Sequence, residues 1–458
     1  MTNTKIIKQN MRRGLGRGIL ELKNADNVED YREAVMWGCL HKLSYDPQCE
    51  GTHSLQLYDM INLFPNPRPF LEAIEKHMDV CYKNSSWEFL KCSELLCFFA
   101  ADGNTYALDA IKRINKKLFD ILLKKRVRHN NNELESFEDI SIALLTNIPE
   151  NTVLNEYLDI AANMGTIAKN SLMYKDETFD WFQDTAEEII GKEKLAKVLK
   201  KEKEKNPALA YYDKVMSDAN KQRSDFECTK TTKTAEEIYN MLKSGESKFL
   251  ARGAAVTLAH EKKSSELQKL AKFYVNETNK TVKARLLWLF GFKNLYTYLN
   301  FDEIKKDALS ENKELQKTAF EIMAKIRDNE VRKIALDFAE KGSDLAIWLP
   351  VLARNYEPCD RELFIKSVKK LKITFTANDW HGVFFGIRNM FRYDDIAEPP
   401  EELLFYMYEK SYCSSCRLFV LQEMDKRGII TEEILNECIY DSNDEIRDFA
   451  KSTFQKKS

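Results

Sequence analysis

Two cysteines separated by two residues, Cys413 and Cys416 in YCSSCRLFVLQEM (residues 412–424), form the arrangement in this chain most suggestive of chemistry. Thiolates at that spacing can share a zinc ion or cycle as a dithiol. A structural zinc needs four ligands, however, and neither a second such pair nor a spaced pair of histidines accompanies them. A thioredoxin-type site also needs a strand before the motif, whereas this pair opens a helical segment. Packed thiols at a helix start are therefore expected, mildly activated at most by the helix N-terminus, with no metal and no cofactor. GLGRG, Gly14 to Gly18, has the glycine density of a phosphate loop, but nothing before it reads as the strand such a loop requires. His260 and His381 stand alone, without partners of defined spacing.

Two further groups could form sites. In HKLSYDPQCEGTH (residues 41–53), His41, Tyr45, Asp46, Gln48, Glu50 and His53 are candidates for a polar pocket, although Asp46-Pro47 equally makes a plain turn. Arg12, Arg13 and Arg17, with Lys116, Lys117, Lys124, Lys125, Arg126 and Arg128, are candidates for a local basic surface. A run of charges usually just keeps a helix face solvated.

The elements that must position these residues are helical. Pro and Gly are scarce, 10 and 15 in 458 residues, and no proline occurs between Pro207 and Pro350. The formal charge of -2 argues against a general affinity for polyanions. No apolar run reaches the length of about 18 residues needed to span a membrane. The N-terminus lacks the apolar core of a secretion signal, and ten cysteines in mainly apolar settings suit buried thiols better than a disulfide framework, so a cytoplasmic location is expected.

A period organises the second half. Arg252 and Arg285 are 33 residues apart, Lys317 follows 32 later, and Arg447 lies 30 after Arg417. Each opens an apolar run with helical spacing and is preceded by a polar turn and another amphipathic segment. The unit is a pair of helices that cannot bury its apolar stripe alone and must stack. The spacing predicts about seven pairs over 233–458, the fourth and fifth around Trp348 and Trp380 lacking the basic marker. Residues 1–214 are expected to form less regular helix pairs, with a polar connection at 215–232. Within 1–214, Asp102-Gly103 is expected to join the helices over 86–101 and 104–125.

DSNDEIRDFAKSTF, with Asp444, Ile446, Arg447 and Ala450, and NKTVKARLLWLFG, with Asn279, Val282 and Arg285, resemble HEAT-like helical repeats. The start of the chain, RGLGRGILELK and YDPQCEG, is similar to a bacterial group of HEAT-like proteins without an assigned activity. The resemblance implies an all-α α-solenoid of stacked antiparallel helix pairs; it specifies fold, not activity. The reading favoured is a non-catalytic scaffold that binds a macromolecular partner, a protein first, on its concave surface. The alternative is a nucleic-acid-binding protein similar to HEAT-like DNA glycosylases, although no catalytic acid with its aromatic surround can be mapped. Arg252, Arg285, Lys317, Arg417 and Arg447 are assigned structural roles, and Arg447 is expected to bridge Asp441, Asp444 or the acidic turn of the preceding pair. No membrane partner is expected, and the sequence leaves the oligomeric state open.

Overall fold

The structure is a computed structural model that describes residues 3–124, 131–170, 179–228, 233–245, 247–292, 294–370 and 377–457. Among these residues all regular structure is helical, 27 α-helices and three short 3-10 turns, with no strand. None is long and apolar enough to cross a membrane. By contact density the chain divides into two units. The first comprises residues 1–229, 412–415 and 430–458, and the second residues 230–411 and 416–429.

In the first unit the apolar stripes of successive helices merge into one core. The Ser86–Ala101 helix buries Phe89, Leu95, Leu96 and Phe99, and the Thr105–Lys124 helix buries Ala110, Ile111, Ile114 and Leu118. The turn between them carries Gly103 at φ 83°, the left-handed conformation expected of it. The next helix spans Asn131–Thr146. The Pro207–Cys228 helix extends well into the stretch read as a polar connection.

The C-terminal helices Glu432–Cys438 and Asp444–Lys457 belong to this same unit and close onto its N-terminal helices. Ser442 N–H donates to the Gly14 carbonyl at 2.9 Å, Arg17 pairs with Glu437 at 2.9 Å, and Lys23 donates to the Tyr440 hydroxyl at 2.7 Å. Gly16 is required by this approach: a Cβ there would sit 2.0 Å from the Glu437 carbonyl oxygen. Gly16 and Gly18 of GLGRG therefore serve close packing, and Gly14 turns the chain at φ 69°.

In the second unit, five helices start at a regular step: Lys248–His260, Lys280–Phe290, Lys313–Met323, Leu345–Arg354 and Ala377–Met390. Their first residues are 32 or 33 positions apart, and each helix packs against the next. The polar turns have a local job. Asn279, Asn312 and Asp344 immediately precede the second, third and fourth stepped helices, and their side chains accept backbone N–H groups of the first turn. The intervening helices supply the other side of the core. Tyr274 and Asp307 come from two of them and meet Lys283 of the second stepped helix in a buried group, with Lys283 Nζ 3.1 Å from Asp307 and the Tyr274 hydroxyl donating to Asp307 at 2.7 Å.

Candidate functional site

The residues singled out by type scatter into structural roles. Asp46 caps the short Pro47–Glu50 helix, accepting the Gln48 N–H at 3.2 Å. His41 stacks on Trp37, its Nδ1 2.8 Å from the Trp37 carbonyl. Glu50 and His53 are buried, 4.0 Å apart, and His53 Nδ1 lies 3.0 Å from the Met11 carbonyl. Tyr45 is half-buried and Gln48 exposed. Neighbouring Ser54 and Gln56 bond to Glu94 and to the Leu15 carbonyl, so the 50–56 stretch ties the first helices to the Ser86–Ala101 helix. Of the basic candidates, Arg12 lies over Trp37, Arg13 over Tyr412, and Arg17 is held by Glu437. Lys116 and Lys117 are paired with Asp120 and Asp79, and Lys124 is exposed. Lys125, Arg126 and Arg128 lie outside the described residues.

The cysteine pair flanks the start of the Ser414–Lys426 helix, and both thiols are buried. Within the second unit, Cys416 Sγ lies 3.8 Å from Nδ1 of His381 on the fifth stepped helix, a neighbour that spacing along the chain does not reveal.

The repeat markers divide by role. Arg285 donates to the Leu242 carbonyl at 3.0 Å, and Arg252 donates to the Trp288 carbonyl at 2.9 Å. Both carbonyls sit in the last turns of neighbouring helices, whose unpaired C=O groups and partial negative charge suit a cation. Arg417 is fully buried. Arg447 does not bridge the acidic side chains expected of it: it donates to the Asp441 backbone carbonyl, and its carboxylate partner is Asp59 of the same unit, at 2.8 Å, brought there by packing of the chain's far ends. Lys317 differs from the rest: it is exposed and faces a groove.

That groove, of about 780 Å³, runs over all five stepped helices. One end is cationic. Arg252 stacks on the Trp288 ring, Lys325 donates to the Gly291 carbonyl, and Lys313 and Lys317 stand on the rim. Burial lowers the pKa of Lys325 below the usual lysine range, Arg252 nearby lowers it further, and Glu321 acts the other way. Burial likewise lowers that of Arg252. The floor is made of small and apolar residues, among them Ala324, Ala346, Ile347, Pro350 and Gly386, and Phe385 on one wall is 48% exposed. At the other end Arg354 is neutralised, gripping Asp395 through two bonds of 2.8 Å and lying over Tyr393. The groove thus has a cationic end and an apolar bed beside it. Sequence reasoning found Arg252 and Lys317 as repeat markers but missed Trp288, Lys325 and Phe385 as groove residues. The available signal was the 32- or 33-residue step, which puts equivalent helix positions on one face.

No protein-family model matches the chain, and no curated protein matches it. Among solved structures it is similar to an engineered protein from the Northeast Structural Genomics Consortium, at 13% identity over 99% of this chain and 98% of that one. The TM-score of 0.22 is too low to relate the two folds.

Proposed function

We propose that this chain is a non-catalytic, HEAT-like helical-repeat scaffold of the α-solenoid type, acting in the cytoplasm, whose second unit binds a partner protein in the groove over the five stepped helices. The observation that carries the reading is the groove itself. Arg252 and Lys325 are held half-buried in its cationic end, while Phe385, 48% exposed beside His381 and Arg388, presents an apolar face on the wall. Bringing two like charges together in a partly desolvated site costs stability unless something of opposite charge completes it. A fold that retains both is organised for an occupant. Exposed aromatic side chains beside a charged pair are what protein recognition surfaces use as anchors.

A photo-crosslinking residue placed at position 385, in the native cell, tests this. Discrete protein adducts that survive nuclease treatment and disappear when the same residue is placed at an exposed site on the Arg361–Lys369 helix are expected. Adducts only with nucleic acid, or none above that control, would remove the reading.

A further inference from the structure

We infer that the occupant of the groove is an acidic segment of a partner polypeptide, its carboxylates seated on Arg252, Lys325 and Lys317 and an apolar side chain lying over Ile347, Pro350 and Phe385. This rests on the protein-binding reading above and names the chemistry of the partner.

The cationic end carries more positive than negative charge, with Arg252, Lys313, Lys317 and Lys325 against Glu321. Arg252 spends one N–H on the Trp288 carbonyl, and its Nε is buried without a hydrogen-bond partner. Lys325 spends one of its three donors on the Gly291 carbonyl. Both acceptors belong to the end of the second stepped helix, which offers roughly half a negative charge. Two full positive charges are not balanced by that, and among the described residues Glu321 is the carboxylate whose field reaches both cations. Lys317 adds exposed charge with no ion pair among the described residues. A carboxylate entering here gains charge-assisted hydrogen bonds in a partly desolvated site, where such bonds are stronger than at an open surface.

The same geometry disfavours a polynucleotide. A strand of nucleic acid needs cations along its track and free aromatic faces on which bases stack. At the far end the cations are already engaged: Arg354 is bound by Asp395, and Arg388 lies over the Phe385 ring. The Trp288 ring already carries Arg252, with Phe249 at its edge. Beside the cations, Ala324, Ala346, Ile347, Pro350 and Gly386 make an apolar bed, with Glu321 and Asp344 also in the lining, which suits a chain that alternates acidic and apolar side chains.

Selection of a random twelve-residue peptide library on the full-length chain tests the inference. The expected binders are enriched in Asp and Glu together with an apolar or aromatic residue. By fluorescence anisotropy the best of them should lose at least tenfold in affinity with Arg252→Met/Lys325→Met, and severalfold with Lys317→Glu, which alters only an exposed rim residue and leaves the fold unaffected. Affinity should also fall as salt rises. Absence of enrichment, binders without acidic residues, or binders indifferent to both variants would overturn it. So would an oligothymidylate of twelve nucleotides that binds more tightly than the peptides and loses affinity with the same substitutions. If the crosslink at position 385 still captures protein in any of those cases, only the acidic chemistry is wrong; if it captures none, the protein-binding reading falls with it.

Discussion

Glu138 is the residue whose surroundings most clearly set a measurable property. It is buried in the first unit, and desolvation raises its pKa to about 7 even though its carboxylate accepts the Phe182 N–H at 3.0 Å. In the unfolded chain it titrates near the ordinary 4.5. An acid whose folded pKa is raised contributes stability that is fully present below the unfolded value and is lost as pH rises through the folded one. Glu138→Gln keeps the acceptor and removes the titration. The variant and the parent should therefore match near pH 4, and the variant should be the more stable by up to about 3 kcal/mol at pH 8, in urea melts at the two pH values. Equal stability at both would show that the buried carboxyl is solvated. Residue types alone gave no hint of this, because Glu138 lies in a stretch as acidic as many exposed ones, NNELESFED, and only the neighbouring Asp180–Ile190 helix buries it.

At the scale of elements, the stepped helices depend on features of two ranges. Asn279, Asn312 and Asp344 cap their own first turns, so the turns were legible from residue type. The buried pair Lys283 with Asp307 is different. Lys283 sits beside the recognisable Arg285 marker and reads as a solvated lysine, yet the next helix brings Asp307 to it and covers both. Removing Asp307 leaves the buried Lys283 with Glu303, 3.6 Å away and partly exposed, as its remaining carboxylate, and costs up to about 3–5 kcal/mol. Asp307→Ala should destabilise the second unit by that order in urea denaturation. The double change Lys283→Met/Asp307→Leu should recover most of the loss, since apolar side chains of similar volume fill the site without a charge to strand. A double variant as unstable as the single one would mean that packing, not charge, is responsible.

At the scale of the molecule, the first unit is built from the two ends of the chain, and Gly16 marks the place where they touch. Gly16→Ala must displace backbone at Glu437 and Tyr440 and should cost about 1–3 kcal/mol, with faster amide exchange in the Glu432–Cys438 helix. Gly253→Ala is the matched control. That glycine lies inside the first stepped helix with open space around it, and the change should be neutral or stabilising by up to about 1 kcal/mol. Unchanged exchange in Gly16→Ala would show that the contact is not maintained in solution. The sequence by itself determined the helical class, the step near 32 residues and the capping turns, because each depends on neighbours within a few positions along the chain. Only the tertiary structure decided that Arg447 meets Asp59, that Cys416 meets His381, and that Arg252, Lys325 and Phe385 share one groove. Those meetings are set by which apolar faces pack together across tens to hundreds of residues. A polar or charged side chain carries no mark of what such packing will bring beside it.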